Sequence, residues 1–146
     1  MICRLFLVVA ALGTLAPHSP DTKVAKAEKA GLEQEVGDIS GYYTCRGVET
    51  GGKAYSGVAV ISKKNEVYVV QWMVGGGSTF AGIGVRQGST FSASWAISGE
   101  RGLTRGVNMY KIEPGPRLVG RWATLPGTGS LQSETLTFLK NIEEED

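Results

Sequence analysis

From residue 39 onward the chain is a succession of short runs rich in Val, Ile, Tyr, Phe, Trp and Thr, divided by short glycine-bearing breaks. No other feature constrains its fold so strongly. Runs of this kind read as strands, and breaks of this length read as hairpin turns. Eight runs follow one another: 39–47, 54–63, 66–74, 79–86, 90–97, 103–112, 117–124 and 131–140. The breaks are ETGGK, KN, GGGS, QGS, SGERG, EPGP and LPGTGS. None has room for the crossover helix that a parallel strand pair requires, so an antiparallel meander is expected. Closing the meander removes both open edges. The expected fold is therefore all-β, an eight-stranded antiparallel up-and-down barrel. A two-sheet sandwich is the alternative, and the local connections favour the barrel. The chain carries 21 glycines against 5 prolines. These glycines belong to turns and tight strands, because a disordered linker would not hold so many β-branched and aromatic residues between them.

Alternation assigns the faces of the strands. In run 90–97, Phe91, Ala93, Trp95 and Ile97 point one way and Ser92 and Ser94 the other. In run 131–140, Leu136 and Phe138 point inward and Thr135 and Thr137 outward. Tyr68 and Trp72, Phe91 and Trp95, and Leu118 and Trp122 are each four apart, hence on one face. The expected core contains Trp72, Trp95 and Trp122 with Tyr68, Phe91, Leu118, Leu136 and Phe138. Run 66–74 is apolar on both faces, so its outer face is expected to cover a partner subunit or the N-terminal segment. In Tyr55-x-Gly57, Phe80-x-Gly82 and Leu118-x-Gly120 a bulky residue stands two before a glycine. That spacing lets a ring lie over bare backbone and permits the sharp bend of barrel closure.

The N-terminal segment reads differently. A short basic start precedes LFLVVAALGTLA, an apolar run of 12 residues at 5–16. A membrane-spanning helix needs about 20 residues, so the run fits a secretory signal peptide. Ala25-Lys26-Ala27 is the best exit, leaving Glu28 first. Thr14-Leu15-Ala16 is a rival site that would place Pro17 after the cut, and an uncleaved anchor is the other alternative. The expected organisation is a signal peptide at 1–27, a flexible lead-in at 28–38, the barrel at 39–140 and an acidic tail at 141–146. The exported product would be secreted or periplasmic, with no transmembrane span.

Export narrows the chemistry. Cleavage before Glu28 removes Cys3 and the sole histidine, His18. Without histidine there is no Ser-His-Asp or Cys-His catalysis and no His-based metal site. Cys45 alone cannot form an internal disulfide or a zinc site. It reads as a small buried apolar residue, with an intermolecular disulfide or a reactive thiol as alternatives. Gly75-Gly76-Gly77-Ser78 and Gly127-Thr128-Gly129-Ser130 are not followed by Lys-Ser/Thr and open no helix, so they are turns rather than phosphate loops. The formal net charge is +1 for the whole chain. That balance implies no nucleic-acid partner. No enzyme, cofactor or metal is expected.

A few polar residues share the inward face: Glu134 with Leu136 and Phe138, Asn108 with Tyr110 and Ile112, Arg86 with Phe80. They line one mouth of an apolar cavity, or each sits at a strand end and reaches water, or Arg86 and Glu134 pair. The cost of burying charge favours the second reading. With the inward aromatics they give the candidate cavity or barrel-mouth set: Tyr43, Tyr55, Tyr68, Trp72, Arg86, Trp95, Asn108, Tyr110, Trp122 and Glu134. A two-carboxylate hydrolase would need a second inward acid, and Glu66, Glu100 and Glu113 lie in or beside turns.

The chain carries Gly41-Tyr42-Tyr43-Thr44-Cys45-x-Gly47, Tyr55-x-Gly57, Tyr68-x-Val70-x-Trp72, Phe80-x-Gly82-x-Gly84, Tyr110-x-Ile112 and Leu118-x-Gly120-x-Trp122. Together they resemble small exported bacterial proteins often labelled fibronectin-binding proteins, a resemblance that covers roughly residues 40 to 138. More distantly, Gly41-x-Tyr43 with later Trp-bearing strands resembles the avidin-type and lipocalin-type, calycin-like barrels. Tyr43-Thr44-Cys45 also resembles the start of the periplasmic lysozyme-inhibitor barrels. The first resemblance implies adhesion to an extracellular matrix protein. The expectation is thus a non-catalytic module that binds a macromolecule through its surface. The alternatives are a carrier of a small apolar ligand or an enzyme-inhibitor barrel. A void of about 300 Å³ lined by Tyr and Trp would favour the carrier, and a filled interior the surface binder.

Overall fold

The computed structural model describes residues 37–100 and 102–143. The expected signal peptide and most of the expected lead-in lie outside the described residues. Eight strands follow in order: β1 (Gly41–Val48), β2 (Ala54–Lys64), β3 (Val67–Val74), β4 (Ser78–Gln87), β5 (Thr90–Gly99), β6 (Gly102–Glu113), β7 (Arg117–Leu125) and β8 (Gln132–Lys140). Each pairs antiparallel with its neighbour in sequence, and β1 pairs with β8 to close the barrel. The barrel expected from the local connections is the one observed, and the sandwich is not. Asn65 adopts φ 56° in the two-residue connection between β2 and β3, a left-handed conformation that asparagine tolerates.

Alternation sets the interior. Tyr43, Cys45, Ile61, Val70, Phe91, Leu118 and Leu136 are fully buried. Tyr68 and Trp72 join them, as the face assignment requires. Trp95, Trp122 and Phe138 do not become fully enclosed. Their rings point inward but remain partly accessible. The outer face of β3 is open among the described residues, with Val69 and Met73 exposed.

The ends of the barrel differ. At the end carrying the β2–β3, β4–β5 and β6–β7 turns, residues 37–40 cross the opening and Ile39 is fully buried. The Tyr43 hydroxyl donates to the Ile39 carbonyl at 2.7 Å and the Tyr68 hydroxyl to Asp38 Oδ1 at 3.0 Å. The Arg86 guanidinium donates to the Gly37 carbonyl at 2.7 Å. Gly37 and Asp38, placed in a flexible lead-in from sequence, are therefore tied to the barrel wall. The opposite end carries the β1–β2, β3–β4, β5–β6 and β7–β8 connections and is hollow.

Candidate functional site at the open mouth

The glycines of the strands build the site. Tyr55, Gly47, Glu134, Gly120 and Tyr110 lie in one cross-strand row, running β2, β1, β8, β7, β6. Glu134 thus has a glycine on either side. A methyl group on Gly47 would stand 2.2 Å from the Tyr55 ring, and one on Gly120 2.5 Å from the Tyr110 ring. Only bare backbone lets each ring cross the intervening strand and present its hydroxyl to the carboxylate. The same device recurs one strand on, where Trp95 lies over its pair partner Gly106. Rings do cover glycines, as the sequence pattern implied, but across strands rather than two residues along one. Gly57 and Gly82 press instead on the Met73 and Ser94 carbonyls, which a side chain would strike at 2.1 Å.

Glu134 is the centre of the network. The Tyr55 hydroxyl donates to Oε2 at 2.8 Å and the Cys45 thiol to the same oxygen at 3.1 Å. Oε1 accepts from the Tyr110 hydroxyl in a short contact and from Asn108 Nδ2 at 3.4 Å. Asn108 Nδ2 also donates to the Tyr110 oxygen at 2.6 Å, while its Oδ1 accepts from Trp95 Nε1 at 2.8 Å. Burial pushes the Cys45 thiol and the Tyr55 and Tyr110 phenols well above their usual ranges, and the Glu134 charge pushes them further. All three stay protonated and act as donors. The buried Trp72 and Trp122 indole N–H groups make no hydrogen bond of good geometry. They act on Tyr110 and Tyr55 as nearby donors, partly offsetting that upward push.

Above this floor opens a cavity of about 140 Å³. Trp72, Trp95, Trp122, Tyr55 and Phe80 form its walls, with Asn108 and Glu134 at its base. Glu49 on the β1–β2 connection and Val74, Gly75 and Ser78 at the β3–β4 hairpin complete the rim. The aromatics brace one another edge-on. Trp95 meets Phe80 at 4.8 Å between centroids, and Tyr55 meets Trp122 at 6.1 Å.

Of the residues singled out from sequence, Tyr55, Trp72, Trp95, Asn108, Trp122 and Glu134 meet at this cavity, and Tyr110 lies beneath it. Tyr43, Tyr68 and Arg86 stand at the closed end. Two expectations are corrected. Glu134 and Asn108 do not reach water at strand ends; they are 5% and 4% exposed. Arg86 does not pair with Glu134, since the two occupy opposite ends of the barrel. The cost of burying the carboxylate is met by four neutral donors rather than by a cation. Cys45 is buried as expected, yet it serves as a donor as well as filling space. Sequence reasoning passed over Glu49, Val74, Gly75, Ser78 and Phe80 as cavity residues. Phe80 carried a signal, its inward parity on the strand opposite Trp72. The rim residues carried none.

No helix among the described residues is long and apolar enough to cross a membrane. No protein-family model and no curated protein matches this chain.

Proposed function

We propose that this protein is an exported, non-catalytic binding barrel whose mouth takes one small ligand or the terminal group of a larger one. The observation that carries this reading is the combination at one end of a solvent-connected cavity, five aromatic walls and a buried polar floor. Small-molecule sites have this composition, a mostly apolar concavity with few fixed polar groups. The cavity is smaller than the about 300 Å³ of a site for a drug-sized ligand. A cavity of about 150 Å³ holds a benzene ring, and that sets the size class. Glu134 is a poor candidate for a general base, because every lone-pair position of its carboxylate is already occupied by a donor.

Titration with benzene-sized probes such as phenol, followed by tryptophan fluorescence, tests the reading. Saturable binding of one probe per chain is expected. Ser78→Trp, which fills the mouth from an exposed rim position, should abolish it with the melting temperature unchanged. No saturable response, or one that survives Ser78→Trp, overturns the proposal. Export is tested separately: mass spectrometry of protein from the envelope or medium should show a chain beginning near Glu28.

A second reading, adhesion to an extracellular matrix protein, is favoured by the outer face of β3 to β6. Val69, Ile83, Val85, Val107 and Met109 are exposed there. Retention on immobilised fibronectin that is lost in Ile83→Asp and Val107→Asp would support it; equal retention of the variants would remove it.

A further inference from the structure

The cavity carries a charge imbalance. Among the described residues, its lining includes two carboxylates, Glu49 and Glu134, and no Lys, Arg or His. Neither ion pair found among the described residues involves either acid. Glu134 is buried, and its four partners are neutral donors. Neutral donors leave the net charge of the carboxylate uncompensated, so the field inside the mouth is negative. A ligand that carries positive charge completes the site.

The hydrogen bonds narrow the class of cation. A carboxylate offers about four lone-pair positions. On Glu134 these are taken by Tyr110 and Asn108 at Oε1 and by Tyr55 and Cys45 at Oε2. A primary ammonium needs acceptors for three N–H groups, and this carboxylate has none to spare. A fully alkylated ammonium needs none. It requires only negative potential and aromatic faces, of which indole is the best. Three indoles, a phenol and a phenyl ring wall the cavity. Its volume of about 140 Å³ matches a compact group with four carbon substituents.

We infer that the open mouth binds a quaternary ammonium head group, with Trp72, Trp95 and Trp122 as the cage, Glu134 supplying charge beneath it and Glu49 at the entrance. This rests on the reading of the mouth as a ligand cavity, and the test separates the two. The full chain is titrated calorimetrically with choline, with its neutral isostere 3,3-dimethylbutan-1-ol and with ethanolamine. Choline is expected to bind about tenfold or more tightly than either. Glu134→Gln should remove most of that advantage, bringing the ratio of choline to alcohol affinity toward one. Should Glu134→Gln fail to fold, Glu49→Gln at the rim is expected to weaken choline about two- to threefold, an effect that added salt also produces. Equal affinity for choline and its isostere overturns the cation inference and leaves the cavity reading standing. Tighter binding of ethanolamine than of choline overturns the argument from saturated acceptors. No binding of any of the three at millimolar concentration overturns the cation inference, while the phenol titration decides the cavity reading.

Discussion

The two ends of this barrel are built from the same strands and reach opposite outcomes. At the closed end the interior is filled by Phe91, Tyr68, Ile112 and Leu118, and residues 37–40 lie across the opening. At the open end the side chains are larger, yet the space is hollow. The difference is one of support. Phe91 packs on Tyr68 edge-on and stacks on Tyr110, with centroids 5.6 and 6.1 Å away. Trp95 and Trp122 are tilted rings 6.4 Å apart. The network below draws in the Trp95 N–H, and Gly106 leaves the ring lying flat along the wall. Rings meet one another at both ends. The mouth stays open because polar anchors and missing side chains draw its rings to the wall.

The largest effect expected is alkaline. Buried Tyr43 at the closed end, and Cys45 and Tyr110 under the mouth, keep their protons in the fold, because burial pushes all three pKa values up. In the unfolded chain they ionise near 9.0 for the thiol and 10.0 for the phenols. As pH rises the unfolded state loses protons first, so these groups leave stability constant below about pH 9 and lower it above. Each contributes up to about 1.4 kcal/mol per pH unit. Denaturant midpoints measured between pH 8 and 11 should show the decline. Tyr43→Phe and Tyr110→Phe should each remove one group from its slope. A slope unchanged by either would mean that end admits water to its phenol.

Side-chain truncation separates the ends directly. Phe91→Ala should cost about 3–5 kcal/mol. Trp122→Ala, although it deletes more atoms, should cost about 1–2 kcal/mol, because the ring is only partly buried. Equal costs in chemical denaturation would mean that the mouth is as tightly packed as the core. Gly106→Ala should cost about 1–3 kcal/mol and displace Trp95, since the added methyl stands 2.2 Å from the indole. Its tryptophan fluorescence should shift, and probe binding should fail even where the fold persists.

The smallest effect concerns the closing segment. Burial opposes the charged form of Asp38, but hydrogen bonds from Ser40 and Tyr68 outweigh it, and its carboxyl sits below the usual range. This contribution is present above the unfolded value of 3.8 and is lost as pH falls further. Asp38→Ala should cost about 1 kcal/mol at neutral pH. Hydrogen exchange should rise near residues 37–40 and stay unchanged at the mouth. Faster exchange at both ends would show that the two openings are coupled.

The strands, their turns and their inward faces were legible in the sequence, because a side chain's face follows from period-two alternation and each hairpin is a local event. Phe91, Ala93 and Trp95 could be assigned without knowing what they touch. Inward parity also marked Glu134, Asn108 and Arg86, but it gives no depth. Depth depends on where each strand stands relative to its neighbours around a closed barrel. That stagger sends Arg86 to the closed end and Glu134 beneath the open one. The pairing of β1 with β8 sets Glu134 beside Gly47, and that of β7 with β8 sets it beside Gly120. Only then do two tyrosines from β2 and β6 have bare backbone to cross. The sequence by itself determined an eight-stranded meander with aromatic and glycine-marked inner faces. Closure alone decided that a carboxylate is buried, which donors reach it and which end stays open, because those contacts join residues 24 to 89 positions apart whose meeting no local interaction specifies.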